Sequence, residues 1–190
     1  MKRITIVTAI LVVAGAGVAL ADDGGRRIKE SLNGFKEAAA VVSTTGTGTF
    51  RASINRDGDE IEYKLTFRDL EGDITQAHIH IGHPQNSGGI VLWLCQTAAS
   101  PAPPQVDSNP PQCFAPGADP RNNAVEGTLT AADVRAQTAN GIAASEFAEV
   151  VRLIRAGRTY ANVHTAKFPP GEIRSQIAGE DDDHDHGHHD

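Results

Sequence analysis

A chain of 190 residues, 39% of them hydrophobic, is long enough for one domain with a real core. Seventeen basic residues against 24 acidic ones, a formal net charge of −7, exclude a surface built to attract nucleic acid or anionic lipid. Six of the acids fall in residues 180–190, so the body of the chain is close to charge balance.

Lys2 and Arg3 precede an apolar run from Ile4 to Leu20, closed by Ala19-Leu20-Ala21 and then Asp22-Asp23. That is the form of a Sec-type secretory signal, cut after Ala21. The run contains Gly15 and Gly17 and is barely long enough to span a bilayer. No cysteine follows the cut, so no lipid anchor is indicated. The expectation is a secreted or periplasmic protein with no membrane contact after cleavage: signal 1–21, one domain over 22–179, and a disordered tail at 180–190.

Strand signals begin with Phe50, Ala52 and Ile54, which alternate with Arg51, Ser53 and Asn55. Asp57-Gly58 turns the chain, and Ile61, Tyr63, Leu65 and Phe67 then alternate with polar residues. This is a half-buried antiparallel hairpin. "TQAHIHI" follows as a third strand. "GIVLWLC" (89–95) is apolar on both faces, which predicts a central, well-covered strand. Cys95 and Cys113 bracket a loop holding Pro101, Pro103, Pro104, Pro110 and Pro111. In an oxidising compartment the two thiols are expected to pair, since no C-x-x-C spacing favours a metal role. Closing a loop of this length contributes roughly 3 kcal/mol.

"VEGTLT" reads as a short strand, and Thr130 as the N-cap of a helix start. Ser145 is the predicted cap of a second helix, in which Phe147, Val150, Val151 and Ile154 fall on one face; Gly157 ends it. "YANVHTAKF", a turn at Pro169-Pro170-Gly171 and "EIRSQI" complete the chain. The predicted class is mainly β, an antiparallel Greek-key sandwich or barrel with a helical insertion between about Thr130 and Gly157. The tail "EDDDHDHGHHD" is too charged to fold. Its His184, His186, His188 and His189, interleaved with Asp, form a candidate low-specificity site for divalent metal.

Three of the eight histidines, His78, His80 and His83, lie within "AHIHIGH". Alternate side chains of a strand share a face. Ala77, Ile79 and Ile81 therefore take the core, and His78 and His80 point together to the other side, about 7 Å apart at the backbone. In "YANVHT", Ala161 and Val163 share a face while Tyr160, Asn162 and His164 take the opposite one. His78, His80 and His164 are thus candidate ligands for one transition metal, copper by preference and zinc as second candidate. The bland reading is three hydrogen-bonded structural histidines. His83, past Gly82, reads as a spectator. Asn162 and Glu172 are candidate partners for the outer ring nitrogens. Arg174 is a candidate nearby cation, or half of a plain surface pair with Glu172.

"AHIHIGHPQNSGGIVLWL", "IRAGRTYANVHT" and "FPPGEIRSQI", in this order, resemble the CHRD domain, the module first described in chordin. The resemblance covers about Ser31 to Ile177 and implies a small secreted single-domain protein. Where that family commonly has Gly-Gly before the acidic residue, this chain has Pro170-Gly171, which still suits the centre of a type II turn. A fainter resemblance links "HIH" and "GRTYANVHTAKF" to the copper-ligand strands of Cu/Zn superoxide dismutases. It implies copper on His78, His80 and His164. The chain departs from that pattern in having no histidine between His83 and His164, hence no bridging ligand or zinc set, and in its local disulfide loop.

Three functions follow as expectations: a secreted protein that stores, buffers or delivers copper; a copper-only, dismutase-like redox enzyme; or a non-catalytic extracellular interaction module. No G-x-S-x-G, H-E-x-x-H or phosphate-cradling glycine loop supports another chemistry.

Overall fold

A computed structural model describes residues 25–103 and 109–178. The signal read at 1–21 and the tail histidines His184, His186, His188 and His189 lie outside the described residues. The strands are β1 (Arg26–Asn33), β2 (Thr47–Ile54), β3 (Ile61–Arg68), β4 (Ile74–Ile81), β5 (Ile90–Cys95), β6 (Asn123–Leu129), β7 (Thr159–Thr165) and β8 (Ile173–Ile177), with one helix, α1 (Phe147–Arg155). They form a single antiparallel sheet in the order β5-β4-β7-β8-β1-β2-β3-β6. Its two end strands, β5 and β6, approach each other, so the sheet curls into a nearly closed barrel. Around that ring β7 returns to lie beside β4, with β5 and β6 following on the other side of β4. This is a Greek key.

Period-2 patterning explains the interior. Phe50, Ala52 and Ile54 of β2 and Ile61, Tyr63, Leu65 and Phe67 of β3 all point into one continuous core. The hairpin register, Ile54 opposite Ile61, follows from the Asp57-Gly58 turn, where Gly58 takes φ +71°. The apolar stripe of α1, Phe147, Val150, Val151 and Ile154, is buried in the same core. Val151 lies against the β2–β3 turn at Gly58, so the helix closes that end of the barrel.

One strand, β1, goes unread in the sequence, and four local expectations are corrected. β1 carries no clean alternation, because Glu30 sits between the buried Ile28 and Leu32; its carboxylate accepts from the Ala178 N–H (2.9 Å) and the Ser175 hydroxyl (3.3 Å). β5 lies at the end of the sheet, not its middle. Its exposed ladder is covered instead by Arg135 N–H donating to the Val91 carbonyl (2.9 Å), the Gln137 amide to Ile90 (2.6 Å) and the Tyr63 hydroxyl to Leu94 (2.6 Å). A sheet edge sealed in this way accepts an all-apolar sequence. The helical insertion is two 3₁₀ turns, Ala131–Asp133 and Thr138–Asn140, before α1. Ser145 does not cap α1: it takes φ +66°, and Glu146 occupies the N-cap. Finally, the turn before β8 centres on Pro169-Pro170, with Gly171 N–H donating to Phe168 (3.1 Å) and Gly171 following at φ +140°.

Cys95 and Cys113 form a disulfide with Cα atoms 4.9 Å apart, both fully buried. Paired bonds Gln96 N–H to Pro111 (3.0 Å) and Cys113 N–H to Gln96 (2.9 Å) flank it, so the base of the proline loop is fixed to the end of β5. No helix among the described residues is long and apolar enough to cross a membrane.

Candidate metal centre

β4 and β7 are neighbours in the sheet, with His78 opposite Asn162, His80 opposite Tyr160 and Gln76 opposite His164. The core faces are Ala77, Ile79, Ala161 and Val163, all buried at or near 0% exposure. Strand parity therefore throws His78, His80 and His164 onto one patch of the barrel's outer face, with His164 diagonal to His78. One candidate ligand nitrogen from each ring lies within 4.8 Å of the other two. The ring centroids are 5.4 Å (His78–His80), 4.9 Å (His78–His164) and 5.6 Å (His80–His164) apart.

This outer face is not solvated. His78 is 0% exposed, His164 6% and His80 7%. The loop 82–89 lies across it, tied down by Gly88 N–H to the Tyr160 hydroxyl (3.0 Å) and by the Gln176 amide to Gly82 (2.9 Å). Burial disfavours the imidazolium form. It pushes His78 well below its ordinary value, brings His80 down to about 4 against the pull of the Gly88 carbonyl, and lowers His164. All three rings are neutral at pH 7.

Hydrogen bonds then fix where the lone pairs point. His80 Nδ1 lies 2.9 Å from the Gly88 carbonyl, and His164 Nδ1 lies 2.9 Å from the Pro169 carbonyl. A carbonyl only accepts, so both Nδ1 atoms carry the proton and both Nε2 atoms are bare. Those two Nε2 atoms face each other at 3.4 Å. Two bare lone pairs cannot hydrogen-bond, and at that distance they repel. His78 adds a fully buried ring in which neither nitrogen has a partner among the described residues. Buried imidazoles left in this condition are ones a cation would satisfy. Trp93 stands edge-on to His78 at 4.2 Å between centroids, and Tyr160 lies parallel to His80 at 4.8 Å.

The candidate outer partners sit elsewhere. Backbone carbonyls of Gly88 and Pro169, not Asn162 or Glu172, hold the ring orientations. Glu172, fully buried, accepts from the Thr44 hydroxyl (2.7 Å), the Thr165 hydroxyl (2.8 Å) and the backbone of Glu71 and Gly72 (2.7 and 3.3 Å). It ties two loops to the turn before β8. Arg174 is 1% exposed, so it is no surface ion pair with Glu172. Its guanidinium lies 3.4 Å over the Tyr160 ring and donates to the His83 carbonyl (2.8 Å). His83 itself is exposed, outside the triad. Asn162 is buried beside Glu37, a residue that sequence reasoning passed over; burial pushes the Glu37 carboxyl up to about 7 against the pull of Arg174 and Asn162.

The chain matches the CHRD domain over residues 28–177, which spans β1 to β8. It belongs to the CHRD-domain family. No curated protein and no solved structure matches it. The histidine triad therefore sits wholly inside the CHRD unit, on two strands that the domain pairs. Among the described residues, this is the only cluster of three or more potential ligands close enough to share an ion.

Proposed function

We propose that this CHRD-domain protein is exported and holds one copper ion on His78, His80 and His164, for storage, buffering or delivery. The observation that carries the reading is the pair of bare Nε2 atoms facing each other at 3.4 Å, beside a buried His78 without hydrogen bonds. Three neutral imidazoles suit copper or zinc, and copper lies higher in the divalent affinity order. Near-complete burial of all three rings favours holding an ion over turning substrate over. The His-Asp tail would serve as a capture segment. A three-ligand set also leaves a coordination position unfilled by protein, which favours, as a second reading, a dismutase-like redox centre. Measuring superoxide consumption by the copper-loaded protein separates the two readings.

Trp93 is the chain's single tryptophan and touches His78, so its fluorescence reports on the triad. A chain ending at Ala178, titrated with Cu(II), is expected to show quenching that saturates at one equivalent. His80→Ala should remove that saturable phase while the circular dichroism stays β-type, because His80 faces away from the core. Stoichiometric quenching that survives in His80→Ala would make the triad structural, and the extracellular interaction module would become the better reading.

A further inference from the structure

A second site lies over β8, on the side of Arg174 away from the barrel core. The segment after β1 and the strand β8 enclose a cleft of about 750 Å³, within the range of small-molecule sites, ~300–1,000 Å³. Phe35 and Val41, 70% and 68% exposed, are the only large hydrophobic residues left open to solvent among the described residues, and both stand on the walls of this cleft. Apolar side chains concentrated at one concave place mark a binding surface.

The charged groups facing the cleft are Glu30, Lys36, Glu37 and Arg174, with the Tyr160 ring beneath Arg174. Both Glu30 oxygens accept protein hydrogen bonds. The buried Glu37 Oε1 has no hydrogen-bond partner among the described residues, and burial pushes that carboxyl up to about 7, so below that pH it carries little charge against an anion. Lys36 donates only to two neutral oxygens, the Ser31 carbonyl (2.7 Å) and the Ser175 hydroxyl (3.0 Å). Arg174, almost wholly buried on the cleft floor, makes one hydrogen bond, to the His83 carbonyl. The Glu37 carboxyl acts on it through space only, and neither cation hydrogen-bonds a carboxylate among the described residues. A buried guanidinium with unspent donors is matched by a carboxylate, which it grips through two parallel bonds.

We propose that this cleft binds a small amphiphilic carboxylate, its head on Arg174 and Lys36 and its apolar body between Phe35 and Val41. The cleft contains none of the three histidines, although Pro84 and Gln85 of the loop over them also line it, and the proposal does not depend on the metal reading.

The test is calorimetric titration of the full chain, in EDTA so that metal plays no part, with 3-phenylpropionate and with its cationic counterpart 3-phenylpropylamine. The acid is expected to bind one to one with a Kd of about 1 mM or tighter, an ordinary efficiency for a ligand of that size, and at least tenfold tighter than the amine. Phe35→Ser and Lys36→Gln, both at exposed positions that leave the fold alone, should each weaken it severalfold, and Arg174→Gln tenfold or more. Because Glu37 gains its proton near pH 7, affinity should rise from pH 8 to pH 6, and Glu37→Gln should flatten that rise. Amine binding as tight as the acid, absence of heat with either, or acid binding unchanged in both Phe35→Ser and Lys36→Gln overturns the proposal.

Discussion

Neither ring nitrogen of His78 has a partner among the described residues, although the side chain is completely buried. A buried polar atom left unsatisfied costs about 1–3 kcal/mol, and an apolar residue of similar size removes that cost. His78→Leu is therefore expected to raise the stability of the metal-free protein by about 1 kcal/mol while abolishing stoichiometric copper binding. Urea denaturation in EDTA checks the first half, and the same experiment with one equivalent of Cu(II) checks the second. A structural histidine predicts the reverse, a loss of stability in EDTA. The facing of His78, His80 and His164 was legible in the sequence because strand parity is a short-range rule that needs only alternating residue types. The partners of their outer nitrogens were not legible. Those partners are main-chain carbonyls of Gly88 and Pro169, and every residue type has a carbonyl, so no side-chain pattern announces which one will arrive.

The loop between β4 and β5 closes over the triad, and its sharpest constraint is Gly88. A Cβ at that position would fall 1.6 Å from the Ile81 carbonyl oxygen, so the backbone must move to admit one. That same residue holds His80 through its carbonyl and Tyr160 through its N–H. Gly88→Ala is expected to weaken metal binding about 10- to 100-fold, the usual effect of losing a ligand's outer partner. The cost in folding stability should be small, because residues 83–88 are exposed. Competition with a colourimetric copper chelator measures the first and thermal melting the second; an unchanged affinity would free the loop of any role in the site. Strands were read correctly where one face is wet, as in β2 and β3. β1 was missed because Glu30 occupies an inward position and is satisfied by Ser175 of β8 and by Ala178 just after it, 145 and 148 residues away. β5 was misplaced because burial by loops and burial by neighbouring strands leave the same apolar sequence. Neither error is repairable from local pattern alone.

At the scale of the whole molecule, two sets of buried groups oppose each other as pH changes. An imidazole whose pKa is lowered on folding takes up its proton first in the unfolded chain, so its stabilising contribution is complete above about 6.5 and is lost as pH falls through the folded value. For His80 that window runs from 6.5 down to about 4, a change worth roughly 3 kcal/mol; His78 and His164 act in the same direction. Glu37 has the opposite sign. Raised from 4.5 to about 7, it contributes stability that is complete below pH 4.5 and lost as pH rises through 7, again roughly 3 kcal/mol. Between pH 4.5 and 6.5 Glu37 offsets His80, leaving His78 and His164 to set the slope. In EDTA the protein is therefore expected to lose stability on acidification. Glu37→Gln should steepen that loss by up to about 3 kcal/mol. Bound copper opposes protonation of the same three rings, so the loaded protein should hold its urea midpoint to a lower pH and then fall as the ion is released. Urea midpoints from pH 7 to pH 4.5, with EDTA and with one equivalent of Cu(II), give all three curves. A Glu37→Gln profile parallel to wild type would remove the carboxyl from this balance, and coincident copper and EDTA curves would leave the buried imidazoles without an ion.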